Sequence, residues 1–70
     1  MYLMRKINLA VGEALPSSLP MGACQWMESL GQVSSIEIWA TEFSDPGDDR
    51  TEIRAFNGTE DIGTYVVPGY

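Results

Sequence analysis

The stretch that most constrains the fold is residues 36–43, with the sequence IEIWATEF. Apolar and polar side chains alternate through its first half, and β-branched and aromatic residues dominate it, a pattern typical of a β-strand. Successive side chains of a strand point to opposite faces. The two expected faces are Ile36, Ile38 and Ala40 on one side, and Trp39, Thr41 and Phe43 on the other. Because both faces carry apolar side chains, the sequence predicts a central strand.

The length of the chain, 70 residues, indicates one domain spanning residues 1–70. The core of so small a domain rarely supplies more than roughly 3–5 kcal/mol. Cys24 is the only cysteine and histidine is absent from the sequence, so an intrachain disulfide and a Cys/His zinc site are both excluded. Self-association, in the simplest case a homodimer, is therefore one expected source of additional burial.

The amino-terminal residues favour an intracellular protein. Only residues 1–4, MYLM, are apolar before Arg5 and Lys6, which is too short for the apolar region of a secretion signal. Nothing in the sequence approaches the length needed to span a membrane. A lone cysteine also fits a reducing compartment, so we expect a cytoplasmic protein.

The charge of the chain is strongly acidic and unevenly distributed. Ten acidic residues against four basic ones give a net charge of −6, and the acids and bases of residues 1–35 cancel. Direct binding to nucleic acid needs clustered Lys and Arg and is not expected here. Two interpretations of the acids remain: they keep a small domain dispersed, or they form an acidic face that docks on a basic protein.

Two elements are predicted before the central strand. Residues 2–11 alternate apolar Ile7, Leu9 and Val11 with other residues and predict a strand that ends at Gly12. A helix should begin near Ser17 or Ser18, either of which can cap it, and should end at Gly31. Pro20 falls in its first turn. The expected buried stripe is Leu19, Ala23, Met27 and Leu30, with Cys24 beside it and Trp26 to the side.

Two more strands are predicted after residues 44–49, whose sequence SDPGDD is a strong turn signal. Residues 51–56 form the first, Asn57-Gly58 is a pair favoured in type I′ hairpin turns, and Ile62 to Val67 form the second. The predicted fold is a small two-layer α+β domain of order β-α-β-β-β, an antiparallel meander sheet with one helix packed on one face. The position of the first strand and the face that carries the helix stay open.

The residue types argue against an enzyme. Neither Cys24 nor any serine has a histidine to activate it, and a chain of this size has little volume for a substrate cleft. Asp45, Asp48 and Asp49 do not match the spacing of a calcium-binding loop and are better explained as a solvated acidic turn. Glycine-rich phosphate loops are absent from the sequence. We therefore expect no catalytic residue, cofactor or metal.

Aromatic residues are numerous, with two Trp, three Tyr and two Phe. Either they fill the core, or some lie on a sheet face that the helix leaves exposed, with charged residues at its rim: Glu37, Glu42, Glu52 and Arg54. An exposed face of that kind is typical of protein-binding surfaces. The candidate partner-binding residues are Glu37, Glu42, Asp45, Asp48, Asp49, Glu52, Trp39 and Phe43.

The most concrete functional hypothesis is an inhibitor whose carboxylates occupy a basic groove meant for nucleic acid. In size, acidity and lack of catalytic groups the chain resembles small phage-encoded inhibitors of host nucleases, restriction systems or CRISPR complexes. That resemblance, which is one of general character, implies a nucleic-acid-handling protein as partner and the host cytoplasm as location. The alternative is a structural or assembly protein that forms a homo-oligomer through an aromatic sheet face.

Overall fold

The computed structural model describes residues 2–41 and 50–68. Four strands form one antiparallel sheet in the order β1-β2-β3-β4, and one α-helix accompanies it, so the domain is α+β as expected. A short 3-10 helix is an element that the predicted order lacks. Residues 42–49, which include the end of the predicted central strand and the predicted turn, lie outside the described residues. The elements are β1 (Tyr2–Asn8), the 3-10 helix (Leu9–Val11), α1 (Met21–Leu30), β2 (Ser35–Thr41), β3 (Arg50–Asn57) and β4 (Glu60–Pro68).

The strand β2 lies in the interior of the sheet, between β1 and β3, as its two apolar faces predicted. Ile36 is completely buried and pairs with Ile7 on one side and Ala55 on the other. Ile38 pairs with Ile53 on β3, and both are buried. Ile36 and Ile38 of β2 therefore form part of the apolar sheet surface on which the helix packs.

The predicted apolar stripe faces the sheet, but its first member, Leu19, lies before the helix and its last, Leu30, is only partly buried. Ala23 and Met27 of α1, together with Leu19 just before it, are buried against the sheet, and Leu30 packs at the border of the core. Trp26 lies to the side, where its ring centre is 5.4 Å from that of Tyr65 on β4. Within the described residues, no helix is both long enough and apolar enough to cross a membrane.

The start of the helix differs from the prediction that Ser17 or Ser18 caps it. The helix begins at Met21 with Pro20 as its N-cap, and Pro20 provides no side-chain capping hydrogen bond. Proline disfavours helical backbone angles in the residue before it, and Pro20 itself is extended, so Leu19 lies outside the helix. The predicted end is right: Gly31 is the C-cap, and its N–H donates to the carbonyl of Glu28.

The first strand is three residues shorter than predicted. The Asn8 side chain accepts a hydrogen bond from the N–H of Ala10, 3.1 Å away, and so caps the 3-10 helix that follows. Asparagine side chains often compete in this way with the hydrogen bonds of a sheet. Val11 consequently points to solvent, 71% exposed, where the alternation had placed it on the apolar face.

The hairpin between β3 and β4 is centred one residue later than predicted. Asn57 pairs with Glu60, so Gly58 and Thr59 are the central residues of the turn. Gly58 has φ +65°, and in the described chain no residue other than glycine has a positive φ. One positive φ, at the first central position, is the pattern of a type II′ turn, whereas type I′ needs two. The strand β4 correspondingly begins at Glu60, before the predicted Ile62.

Candidate functional site

The side chains that alternate with the core residues point away from the helix and form a second face of the sheet. No element in the described ranges covers it. Its members follow from the strand register, because residues paired across neighbouring strands share a face. This surface, here named the open face, includes Leu3, Lys6, Glu37, Trp39, Glu52, Arg54, Phe56, Thr64 and Val66.

A connected group of four side chains lies at the centre of the open face. The guanidinium carbon of Arg54 is 4.6 Å from the centre of the Trp39 ring. The Trp39 indole Nε1–H donates to Glu37 Oε1 at 3.0 Å, and Arg54 Nη2 donates to Glu52 Oε2 at 3.2 Å. We name the four residues, Glu37, Trp39, Glu52 and Arg54, the Trp39–Arg54 cluster.

The register of β2 and β3 explains the cluster. Trp39 pairs with Glu52, and Glu37 pairs with Arg54, so Arg54 is the diagonal neighbour of Trp39, within reach of a long side chain. A cation over an aromatic ring contributes about 0.5–1 kcal/mol at an exposed site. The ion pair of Arg54 with Glu52 joins two long side chains at 3.2 Å through a single contact, and such pairs typically contribute about 0–1 kcal/mol.

Charges alternate across the centre of the open face. Lys6 on β1 pairs with Glu37 on β2, which in turn pairs with Arg54 on β3. Together with Glu52, this places two bases and two acids side by side. Each of these two acids has a neighbour of opposite charge on the same surface. The centre of the open face is therefore balanced in charge.

Apolar side chains flank the cluster. Leu3 and Val66 are 44% and 43% exposed, and they lie at the two ends of the cross-strand row that contains Trp39 and Glu52. Phe56 lies on the same face of β3 and is partly exposed. Protein interfaces are enriched in aromatic residues and arginine. The stack of Trp39 and Arg54, bordered by apolar side chains, matches this composition.

The aromatic residues divide between the two sides of the sheet. Trp26 and Tyr65 pack against the core on the helix side. Trp39 and Phe56 belong to the open face, outside the group of side chains that surrounds the core. Some aromatic residues therefore pack around the core, and others lie on the face of the sheet away from the helix.

Three of the eight predicted partner-binding residues come together in the structure: Glu37, Trp39 and Glu52. The other five lie outside the described residues, namely Glu42, Phe43, Asp45, Asp48 and Asp49. Arg54 was expected at the rim of the face and lies instead at its centre, and Phe56 was missed as a binding residue, although its alternation with Ile53 and Ala55 was a signal for its position. Leu3 and Val66 could be placed only once the strand order was known.

Comparisons with known proteins add no assignment to this geometry. No protein-family model matches the chain. The curated proteins and the solved structures likewise yield no significant match.

Proposed function

We propose that this protein is a small acidic protein-binding module, not an enzyme, and that it contacts its partner through the open face. The observation that carries this proposal is the stack of Arg54 on Trp39 at the centre of that face. Trp and Arg are among the residues most enriched in interface hot spots. Because Arg54 is already held by the ring and by Glu52, it loses less side-chain freedom on binding than a solvated arginine would.

In its most concrete form the module is an inhibitor of a basic, nucleic-acid-handling protein. The support is the charge of −6 and its position in the sequence: residues 42–49, which connect β2 to β3, contain four acids and no base. The centre of the open face is balanced in charge. We therefore assign the long-range attraction of the partner to the acids of residues 42–49, and the short-range contact with the partner to the Trp39–Arg54 cluster. A phage-type inhibitor of restriction or CRISPR machinery, acting in the cytoplasm of an infected bacterium, has this chemistry.

The two parts of the proposal predict different kinetic effects. Charges at a distance set the association rate, whereas a buried hot spot sets the dissociation rate. The partner is first captured from native lysate with tagged protein, and the purified pair is then studied. Neutralising Asp45, Asp48 and Asp49 together should slow association at low salt and flatten its salt dependence. Arg54→Ala should speed dissociation.

The matched control is Met21→Ala, because Met21 is 76% exposed at the start of the helix, on the opposite side of the sheet. This variant should leave both rates unchanged. An unchanged association rate in the triple Asp variant would remove the acidic docking. An unchanged dissociation rate in Arg54→Ala would remove the open face as the binding surface.

A second candidate function is a homo-oligomer formed through the open face, with the acids serving solubility. The balanced charges at the centre of the face favour it, because a two-fold interface must be complementary to itself. Here the average mass should rise with protein concentration, and Trp39→Ala should abolish that rise while the circular dichroism spectrum stays native. A foreign protein retained by wild-type chain and lost by Trp39→Ala would instead favour the inhibitor.

A further inference from the structure

The two outermost strands of the sheet offer a second interaction surface. In the described chain, β1 and β4 each have one neighbour only, so each presents an outer edge of backbone N–H and C=O groups. Three successive antiparallel pairings separate them, so β1 and β4 run in opposite directions. A second copy that continued the sheet beyond β1 would therefore set its own β4 antiparallel to that strand.

The apolar side chains of the two edges match in this arrangement. Leu3 and Val66 lie at opposite ends of one cross-strand row and are exposed to nearly the same extent, 44% and 43%. In the unshifted arrangement, each cross-strand row of one copy continues into the same row of the next copy. Leu3 of one copy would then lie beside Val66 of the next. The contact would remove from water two apolar side chains that the monomer leaves half exposed.

The charges of the two edges are also complementary. The basic side chain is Lys6 of β1 and the acidic one is Asp61, near the start of β4. In the unshifted arrangement Asp61 of the second copy would lie opposite Asn8, on the face that Lys6 shares. Such diagonal neighbours are within reach of a long side chain.

A two-fold pairing of β1 with itself lacks this complementarity. Over the full length of Tyr2–Asn8 such a pairing would centre on Arg5 and place two arginines opposite each other, which is destabilising. We propose that copies of this protein associate head to tail, with β1 of one copy pairing antiparallel with β4 of the next. A head-to-tail dimer still has one unpaired β1 edge and one unpaired β4 edge, so the assembly grows beyond the dimer with concentration, into open chains or closed rings.

The register of β1 limits the strength of this association. Its pairing with β2 shifts between Leu3 and Arg5, which leaves Met4 as a bulge residue. A bulge interrupts the backbone hydrogen bonds of an edge. The association is therefore weak and reversible, and sedimentation velocity over a range from micromolar to millimolar protein is the method that suits it.

Thr64 provides the discriminating substitution. It is exposed on the edge strand β4 and lies in the same cross-strand row as Lys6, so it would face Lys6 of the next copy. Thr64→Glu should tighten self-association by about two- to fivefold, although it makes the protein more negative, and Thr64→Lys should weaken it by a similar factor. General repulsion between copies predicts the reverse order.

The controls are Gln25→Glu and Gln25→Lys, which make the same charge changes at an exposed helix position. Lys6→Glu supplies a rescue: alone it should associate weakly, but a mixture with Thr64→Lys should associate at least as well as wild type, because the introduced carboxylate of one variant then meets the introduced ammonium group of the other. Trp39→Ala should leave this edge association intact, which separates it from contact through the open face. Circular dichroism verifies that each variant is folded.

Several results would overturn the proposal. Wild-type and Thr64→Glu proteins that stay monomeric at every concentration would do so, as would Thr64 variants that behave like their Gln25 counterparts. A mixture of Lys6→Glu and Thr64→Lys without regained association would have the same meaning. A mass that levels off at the dimer would exclude head-to-tail growth.

Discussion

The guanidinium carbon of Arg54 lies 4.6 Å from the centre of the Trp39 ring, on the side of the sheet opposite the helix. The two residues belong to different strands and are brought together by the register of β2 and β3. Glu37 and Glu52 hold the outer atoms of the pair. The stack is therefore organised before any partner arrives, and its energy can be measured in the free protein.

The first prediction concerns that energy. Arg54→Met and Trp39→Leu each remove one side of the stack and keep most of the apolar volume. Their effects on the free energy of unfolding should be non-additive, with a coupling of about 0.5–1 kcal/mol, the range for exposed cation–π pairs. Urea denaturation of the wild type, both single variants and the double variant gives the coupling directly. Strictly additive effects would show that the stack contributes nothing.

The second prediction concerns the contact between the helix and β4. A Cβ atom at Gly22 would lie 2.8 Å from the Tyr65 hydroxyl oxygen and 3.8 Å from the adjoining ring carbon. Alanine within a helix is worth about 1 kcal/mol more than glycine, but here it would collide with that hydroxyl. We therefore expect Gly22→Ala to destabilise the wild type and to stabilise a Tyr65→Phe background.

Thermal denaturation of the four proteins checks this sign change. The Tyr65 ring is itself packed beside Trp26, so it cannot swing aside freely. The same effect of Gly22→Ala with and without the Tyr65 hydroxyl would contradict the close approach of Gly22 to Tyr65.

The third prediction tests the core. Ile53 is completely buried on β3, whereas Val66 on the neighbouring strand is 43% exposed. Truncating a buried isoleucine to alanine costs about 2–5 kcal/mol, comparable to the roughly 3–5 kcal/mol that a core of this size supplies. Ile53→Ala should abolish cooperative unfolding, and Ile53→Val should lower the midpoint moderately. Val66→Ala should change it little; an equal loss at both sites would contradict the described burial.

The fourth prediction concerns the end of the helix. Gly31 has φ +85° and ψ −104°, and a Cβ atom placed there would meet nothing within 4 Å. The whole effect of a substitution therefore comes from the backbone conformation, which a non-glycine residue adopts at a cost of order 1–3 kcal/mol. Gly31→Ala should lower the free energy of unfolding by that amount, while Gln32→Ala, next in the chain, should be nearly neutral. Chemically synthesised protein with D-alanine at position 31 should escape the penalty.

The features predicted correctly from sequence are those that one segment determines alone. The alternation around Ile36 and Ile38 was enough to place β2 inside the sheet, and the spacing of Ala23 and Met27 was enough to orient the helix. Period two also placed Glu37, Trp39 and Glu52 correctly relative to the core of their own strands.

The features missed depend on how segments meet. The stack of Arg54 on Trp39 requires the register between two strands, and the residues that join them do not encode that register in any simple pattern. The hairpin turn lies one residue later than predicted because the Ser34 hydroxyl accepts a hydrogen bond from the N–H of Gly58 and donates one to the carbonyl of Phe56. Ser34, 24 positions away in sequence, thus fixes the position of the turn. The residue preferences of the turn itself cannot predict such a contact.

The most direct test of the open face as a binding surface is site-specific photo-crosslinking in native lysate. Benzoylphenylalanine replaces Phe56, on the open face, or Gln25, exposed on the helix. Neither position is a member of the Trp39–Arg54 cluster. We predict a crosslinked protein from position 56 that Arg54→Ala reduces, and none from position 25. Crosslinking from position 25 alone, or from neither position, would contradict the account.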